Sequence, residues 1–283
     1  MEAEATNEQV TDIHELAKKQ IAASHSPVKG FLRKILLPVY KPTRTRVFPN
    51  LRRSILAQPT VFEVWYRTRA WRHLLTRGMR SFDPNEKNDE KKGENGYLGE
   101  VASYNKSQMW EWHRSRTEKL MAVLRCIDDM PARPRILVIG PRNEAELLLL
   151  NLYRFPFEDI EAIDIFSYSP LIKLQDMHDL QFPDGTFDIV YSAWTLPYAH
   201  DLAKVVREVV RVLKPRGIVA TGYSLEKAVS KIGGQAVTGS RDLKALLEPH
   251  VDWMYWQEVL PLPQSDEITT IFRVKKDAKT VDA

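Results

Sequence analysis

The sequence predicts an α/β protein with a doubly wound, mostly parallel sheet and an N-terminal helical extension. Residues 135–140 form a continuous apolar run that ends in glycine, as expected of a buried parallel strand. From there to residue 275, strand-like segments alternate with helical ones, which is the order of a parallel sheet covered by helices. Upstream of residue 134, apolar residues recur at three- and four-residue spacing, which indicates helices instead.

The elements of the α/β part follow from this alternation. After the first strand, Asn143 and Glu146 stand at capping-box spacing and predict the start of a helix. The predicted helices cover residues 143–154, 201–213 and 240–248, and the further strands cover 160–165, 171–175, 187–194, 218–222, 252–259 and 268–275. Only residues 166–170 separate the second strand from the third, whereas a parallel crossover takes a dozen residues or more. We therefore expect the crossover helix there to be absent or reduced to a turn.

Composition divides the chain into six parts. They are a mobile acidic arm (1–26), a basic and partly helical appendage (27–80), a polar linker (81–104), a helix leading into the core (105–133), the α/β domain (134–276) and a tail (277–283). Two long helices are predicted upstream of the α/β domain, over residues 60–78 and 105–129. The first has an apolar stripe formed by Val61, Val64, Trp65, Trp71, Leu74 and Leu75.

The composition excludes several classes of protein. With 43% hydrophobic residues the chain can bury a core, so global disorder is excluded. No apolar run approaches the length of about 18 residues that spans a bilayer, and the acidic N-terminus lacks an export signal, so we expect a cytoplasmic protein. A single cysteine, Cys126, excludes a disulfide framework and a Cys-rich zinc site. No histidine or carboxylate spacing indicates a metal.

The net charge of +4 conceals a strong asymmetry. Residues 27–80 contain thirteen Lys and Arg but only one acid, Glu63, whereas the α/β domain is slightly acidic. The basic block and its interleaved aromatics permit three interpretations: nucleic-acid binding, binding of an anionic glycan or membrane surface, or a helix that packs its aromatics on the domain and leaves its basic groups solvated. No nucleic-acid-binding motif accompanies the block, so nucleic acid is the least expected partner.

Polar residues follow the predicted parallel strands. Gly140, Asp164, Asp176 and the run Ser192–Thr195 all stand at the carboxyl ends of strands, where an open parallel sheet binds its ligand. A glycine after the first strand allows close approach of a ligand, and a carboxylate after the second suits a ribose diol. The sequence thus predicts a site for a nucleoside-containing cofactor.

A longer motif extends this prediction. Residues 176–192 read Asp-Met-His-Asp-Leu-Gln-Phe-Pro-Asp-Gly-Thr-Phe-Asp-Ile-Val-Tyr-Ser, and residues 207–217 end in Leu-Lys-Pro-Arg-Gly. With these two blocks, residues 134–276 resemble the class I S-adenosylmethionine-dependent methyltransferases of the small-molecule branch, which have a Rossmann-like fold. The resemblance implies S-adenosylmethionine as the cofactor. It also implies that Asp164 holds the ribose hydroxyls, that Asp176 accepts from the adenine amino group beside Met177, and that Gly140 lies under the methionine part. Ser192, at the end of the fourth strand, is counted with these cofactor-binding residues.

The glycine-rich loop of that family is degenerate in this chain. Arg142 and Glu144 stand where the later glycines would be. Arg142 would repel the sulfonium, and it is interpreted either as a solvated residue or as a clamp for an anionic substrate. Glu144 is predicted to attract the ammonium group of the cofactor.

Residues after the fourth strand are candidates for catalysis and acceptor binding. Methyl transfer to oxygen often uses a base, for which His200, Tyr198 and His178 are candidates. Trp194 either lines the acceptor pocket or packs against the helix 201–213. The sequence as a whole predicts an O-methyltransferase acting on a small molecule or saccharide; a methyltransferase-like binding or scaffold protein without activity is the alternative.

Overall fold

The computed structural model describes residues 55–82, 110, 114–226, 231–232, 235–236, 239–261 and 265–275. The chain forms two compact units, Met1–Gln58 and Pro59–Ala283. Only residues 55–58 of the first unit are described. The predicted acidic arm, residues 27–54 of the predicted basic appendage, most of the predicted linker and the tail lie outside the described residues. The second unit contains all the elements discussed below.

The described strands are numbered along the chain, and four of them form short two-stranded sheets: β1 (Arg80–Ser81), β4 (Phe166–Ser167), β8 (Lys231–Ile232) and β9 (Gln235–Ala236). The other seven are β2 (Ile136–Ile139), β3 (Ile160–Asp164), β5 (Lys173–Leu174), β6 (Phe187–Ala193), β7 (Leu213–Glu226), β10 (Val251–Pro261) and β11 (Ser265–Val274). These seven form one sheet in the order β10-β11-β7-β6-β2-β3-β5. Strands β2, β3, β5, β6 and β7 are parallel, and the hairpin of β10 and β11 joins β7 in antiparallel register. The strand order reverses between β2 and β6, as in Rossmann-like sheets, so the predicted fold class is confirmed.

Five helices accompany the sheet in the described residues. They are α1 (Pro59–Arg77), α2 (Arg114–Arg125), α3 (Glu144–Leu152), α4 (Leu202–Val212) and α5 (Gly239–Leu247). Their ends lie close to the predicted ones, and the side chain of Asn143 caps α3 by accepting a hydrogen bond from the Ala145 amide. For the predicted helix 105–129, only the part from Arg114 onward is described as a helix.

Helices cover both faces of the sheet. Alternate residues of each strand point to opposite faces, so Val138 and Tyr191 join one core while Leu137 and Val190 join the other. We call these the α3 face, where α1, α2 and α3 pack, and the α4 face, where α4 and α5 pack. No described helix is long and apolar enough to cross a membrane.

The buried stripe of helix α1 agrees only in part with the predicted one. Its buried residues are Phe62, Tyr66 and Ala70, spaced four apart. Of the predicted stripe, Trp65 and Leu74 pack against this core, whereas the other four residues are 40–67% exposed: Val61, Val64, Trp71 and Leu75. Apolar spacing alone did not distinguish the two sides of a helix that carries aromatics on both. In its packing, α1 agrees with the interpretation of an appended helix whose aromatics contact the α/β domain.

The connection from β3 to β5 contains no helix, as predicted. Instead, the short strand β4 (Phe166–Ser167) pairs with β1 (Arg80–Ser81) in a two-stranded antiparallel sheet. The guanidinium of Arg80 also donates to the carbonyl of Ser169 at 3.2 Å. The segment that follows α1 therefore contacts the connection in which the crossover helix is missing.

Candidate functional site

The candidate site lies at the carboxyl ends of the parallel strands, around the reversal of strand order. The loop after β2 and the end of β3 are joined there by backbone hydrogen bonds. The amide of Gly140 donates to the Ile163 carbonyl at 2.8 Å, and the amide of Arg142 donates to Asp164 Oδ2 at 3.0 Å. The structure therefore brings three of the predicted site residues together.

Gly140 is required by its contacts within the chain. It adopts φ +67, and a Cβ atom there would lie 2.2 Å from the side chain of Thr195. The Thr195 hydroxyl donates to the Gly140 carbonyl at 2.9 Å. The glycine thus lets the loop after β6 approach the loop after β2, which is a close contact inside the protein rather than with a ligand.

Asp164 is a buried carboxylate held by the backbone. It is 7% exposed, and besides the Arg142 amide it accepts the Phe166 amide at 3.4 Å. Burial raises the pKa of Asp164 to about 7, although the hydrogen bonds from the backbone amides of Arg142, Phe166 and Ile165 act in the opposite direction. Each carboxylate oxygen offers two lone pairs, so acceptor capacity for a ligand hydroxyl is left.

Glu144 makes contacts that do not support its predicted role toward a cofactor. The residue is fully buried, and its carboxylate pairs with Arg69 Nε at 2.8 Å and lies 3.2 Å from His73 Nε2. The Ser169 hydroxyl donates to the same carboxylate at 2.5 Å. These partners satisfy the charge and join α1 to α3, because Arg69 and His73 both belong to α1.

Asp176 and His178 form a connected polar chain. His178 is 5% exposed; its Nδ1 lies 2.6 Å from Asp176 Oδ1, and its Nε2 lies 3.3 Å from the Asp201 amide nitrogen. An amide N–H can only donate, so Nε2 accepts and Nδ1 carries the proton that is donated to Asp176. Both ring nitrogens therefore take part in hydrogen bonds, and a role of His178 as a base stays a prediction.

His200 stacks on His178 and remains exposed. The ring centroids are 3.7 Å apart with 27° between the planes. Partial burial lowers the pKa of His200, and the neighbouring His178 acts in the same direction. Tyr198 ends a short 3₁₀ helix, Leu196–Tyr198, in the same loop. Two of the three predicted catalytic residues therefore stand in contact, and the outer one is available to a substrate.

Ser192 lies in a different environment from the predicted one. It is 1% exposed, and its hydroxyl donates to the Ile139 carbonyl at 3.3 Å, between strands β6 and β2. The Thr221 hydroxyl donates to the Ser192 carbonyl at 2.8 Å, so the residue links three neighbouring strands. This burial does not support a cofactor contact. Met177 is partly buried and packs against the α4 face.

Trp194 packs on the face opposite to the predicted helix contact. It adopts φ +59, which is unusual for a bulky residue, and belongs to the α3 face, whereas α4 lies on the other side. Its ring lies against Gly222, where a Cβ atom would come within 2.8 Å. Packing against the helix 201–213 is therefore wrong for Trp194, and a place at the acceptor pocket stays a prediction.

Sequence reasoning missed several buried polar atoms in this region. Glu146 Oε2, Gln175 Oε1 and the Tyr191 hydroxyl are buried without a hydrogen-bond partner in the described part of the chain. Such atoms are costly unless a ligand or water completes them, so the region fits a polar ligand. In the sequence, Glu146 is interpreted only as a partner in the cap of α3, and Tyr191 stands in an apolar strand. Only the alternation of side chains along β6 could have placed Tyr191 on one face of the sheet.

The sheet is doubly wound, acidic residues stand at neighbouring strand ends, and the same region contains buried polar atoms without a partner among the described residues. These features define a Rossmann-like domain of the type that binds nucleotide-like cofactors. Residues 159–221 match the family model described as a methyltransferase domain. The match confirms the predicted resemblance to class I S-adenosylmethionine-dependent methyltransferases.

Curated relatives share short parts of the chain. A malonyl-[acyl-carrier protein] O-methyltransferase of Halorhodospira halophila is 37% identical over 74 residues, which are 24% of this chain and 25% of that protein. A sterol 4-C-methyltransferase of Caenorhabditis elegans is 45% identical over 46 residues, or 16% and 14% of the two chains. The chain therefore spans a quarter or less of the length of these two relatives.

Solved structures match a larger part. The N-methyltransferase NodS of Bradyrhizobium japonicum, in complex with S-adenosyl-L-homocysteine, is 16% identical with a TM-score of 0.46, and the match covers 64% of this chain and 98% of that one. A putative sarcosine dimethylglycine methyltransferase of Galdieria sulphuraria is 13% identical with a TM-score of 0.43 over 56% and 85% of the two chains.

Proposed function

We propose that this protein is a methyltransferase that uses S-adenosylmethionine and methylates a hydroxyl group of a small molecule or saccharide. One observation carries the proposal. The buried carboxylate of Asp164 stands at the carboxyl end of β3, is hydrogen-bonded to the loop after β2, and lies inside the segment that matches the methyltransferase family model. The two curated relatives transfer methyl groups to different kinds of acceptor by their names, so the acceptor class is an inference from this chain alone.

The cofactor would lie across the ends of β2, β3 and β5. Asp164 would accept from the ribose hydroxyls, and Asp176 would accept from the adenine amino group with Met177 beside the ring. Burial alone would raise the pKa of Asp176, but hydrogen bonds from the ring and amide of His178 outweigh it and leave that pKa below its usual range. An ionised Asp176 is the acceptor that an amino group requires.

His200 is the proposed base. It is exposed beside the pair formed by Asp176 and the buried His178. Its lowered pKa keeps the imidazole neutral at neutral pH, the form that can take a proton from an acceptor hydroxyl. Tyr198 and Trp194, from the same loop after β6, would line the acceptor side. When bound, S-adenosylmethionine supplies the methyl group on its sulfonium, and most of the protein's contribution is then orientation of the two reactants.

Titration calorimetry with S-adenosylmethionine and S-adenosylhomocysteine tests the proposal. Binding of both is expected, and Asp164→Ala should weaken it strongly. Absence of binding to the wild-type chain would overturn the enzyme assignment. Unchanged affinity in the Asp164→Ala variant would overturn the ribose assignment alone.

A binding or scaffold role without catalysis is the second candidate. The loop after β2 favours this candidate, because Glu144 forms its ion pair with α1 and the Thr195 side chain occupies the space beside Gly140 that a ligand would otherwise enter. A chain that binds S-adenosylhomocysteine but transfers no methyl group to any hydroxyl acceptor would support this second candidate. An anionic partner for residues 27–80 is likewise a proposal, based on their charge.

A further inference from the structure

The outer side of helix α1 carries an apolar stripe that stays exposed in the folded chain. The inner side of the helix is formed by the buried residues Phe62, Tyr66 and Ala70. On the opposite side, four large apolar residues at helical spacing are 40–67% exposed: Val61, Val64, Trp71 and Leu75. We call these four residues the outer stripe. Exposed apolar patches rimmed by polar groups mark surfaces that contact a membrane or another molecule.

Cations border the outer stripe. Arg67 and Arg72 are exposed and stand three or four residues from members of the stripe, so they are its neighbours on the helix surface. The only acid of α1, Glu63, pairs with Arg67. Residues 27–58, which precede the helix in the chain, add eight Lys and Arg and no acid. A surface complementary to this helix is therefore apolar in part and negatively charged.

We propose that the outer stripe of α1 docks on the surface of an anionic phospholipid bilayer. The helix lies in the plane of the interface, with its apolar side chains at the upper acyl chains and its arginines at the lipid phosphates. Trp71 suits this boundary, because its ring is apolar and its N–H requires a polar partner. The charge of residues 27–58 strengthens the attraction to an anionic membrane. This docking does not depend on the proposed methyl transfer.

The residue types favour a bilayer over the other partners of a basic surface. Polyanions are bound through cations and, in nucleic acids, through stacked aromatic rings. The aliphatic side chains of Val61, Val64 and Leu75 offer neither interaction. A symmetric contact with a second copy would bring the arginines of two helices together, and the only acid of α1 is already paired. A bilayer accepts both the apolar side chains and the cations.

Flotation of the full chain with lipid vesicles tests the proposal. We expect binding to vesicles of equimolar phosphatidylserine and phosphatidylcholine, and much weaker binding to phosphatidylcholine alone. The double variant Trp71→Ser/Leu75→Ser should bind the anionic vesicles about 10- to 100-fold more weakly, because two large apolar contacts are lost. Arg72→Gln should weaken the same binding about fivefold, the effect of one cation near an anionic surface.

Two variants outside α1 serve as matched controls. Trp253 on strand β10 is 59% exposed, close to the 61% of Trp71, so Trp253→Ser removes an equally accessible ring. Arg216→Gln removes an exposed arginine of strand β7. Each control should change vesicle affinity by less than about twofold, because it removes no contact to the bilayer and a distant charge is screened by salt.

Fluorescence quenching gives a second measurement if the serine variants do not fold, which circular dichroism and thermal unfolding would show. Phosphatidylcholine brominated on its acyl chains should quench part of the tryptophan fluorescence of the chain on anionic vesicles. Trp71→Phe keeps an aromatic ring and should lose most of this quenching, whereas Trp253→Phe should keep it. Equal quenching in the two variants would place Trp71 outside the membrane and overturn the proposal.

The other outcomes are distinct. Absence of binding to anionic vesicles, or equal effects of the α1 variants and their controls, would overturn the proposal. The double variant should still bind heparin with wild-type affinity; a loss equal to the loss of vesicle binding would assign the outer stripe to polyanions instead. A dimer that dissociates in the double variant would assign it to a second copy. Selective loss of vesicle binding in the α1 variants supports the proposal.

Discussion

At the scale of single residues, Asp164 is proposed to bind the cofactor, but its burial makes the folded state less stable when the carboxylate is ionised. Its pKa in the folded chain, about 7, lies above the ordinary aspartate value because the side chain is buried. The folded state therefore binds more protons than the unfolded state between about pH 4 and pH 7. The free energy of unfolding that this group contributes is fully present near pH 4 and is lost as the pH rises through 7.

Replacement of Asp164 by Asn removes this cost. We expect Asp164→Asn to raise the free energy of unfolding by about 1–3 kcal/mol at pH 8, with the gain shrinking toward pH 4. The amide oxygen still accepts the Arg142 N–H, so the loop is kept, while cofactor affinity falls. Urea unfolding between pH 4 and pH 8 measures the effect, with exposed Asp179→Asn as the control. A gain that does not depend on pH would contradict the assignment.

The two stacked histidines should respond differently to removal. His178→Ala removes the ring that bridges Asp176 and the Asp201 amide, so we expect a loss of about 1–3 kcal/mol in the free energy of unfolding. His200→Ala removes an exposed ring and should change stability by less than about 0.5 kcal/mol.

If His200 is the base, the same variant should lower the rate of methyl transfer about 100- to 10,000-fold with a smaller change in substrate affinity. An undiminished rate would refute the role of His200.

At the scale of elements, α1 is fixed by one buried carboxylate. Glu144 at the start of α3 holds Arg69 and His73 of α1, and burial lowers the pKa of His73 although the charge of Glu144 raises it. A buried charge that loses its partner is expensive, whereas an exposed pair contributes little. The same helix offers both cases, since Arg67 pairs with Glu63 at the exposed surface.

We therefore expect Arg69→Met to lower the free energy of unfolding by about 3 kcal/mol and Arg67→Met by less than about 1 kcal/mol. Hydrogen exchange of residues 59–77 should accelerate in the first variant, because α1 is released from α3. Glu144→Gln keeps part of the hydrogen bonding and should fall between the two. Equal effects of Arg69→Met and Arg67→Met would show that the buried pair does not hold the helix.

The elements that sequence reasoning predicted well are those governed by local rules. The apolar strand before Gly140, the Asn143 cap and the short connection after Asp164 are all readable from spacing and composition. The buried side of α1 was not, because Val64 and Tyr66 are equally compatible with a core until the partner surface is known. The role of Glu144 depends on Arg69, 75 positions earlier, and no local pattern carries such a contact.

At the scale of the whole molecule, the basic block 27–80 is not one structural unit, because the compact unit already begins at Pro59. Helix α1 belongs to the compact unit Pro59–Ala283, although the predicted appendage extended to residue 80. Residues 27–58 contain eight of the thirteen basic residues of the block and no acid. Most of the charge that suggests an anionic partner therefore precedes the compact unit, while Arg69 of α1 serves the internal pair with Glu144.

Two truncations separate these contributions. A chain that begins at Pro59 keeps α1, so we expect it to unfold within a few degrees of the full chain and to bind S-adenosylhomocysteine equally well. A chain that begins at residue 81 lacks Arg69 and His73, the basic partners of Glu144, and the part of the core that α1 supplies. We expect it to unfold at much lower temperature or to aggregate. Heparin affinity, measured against salt, should drop already in the first truncation, because eight cations are lost. If the first truncation kept heparin affinity and its salt dependence, an electrostatic role for residues 27–58 would be refuted, and the five arginines from Arg67 to Arg80 would be the remaining candidates.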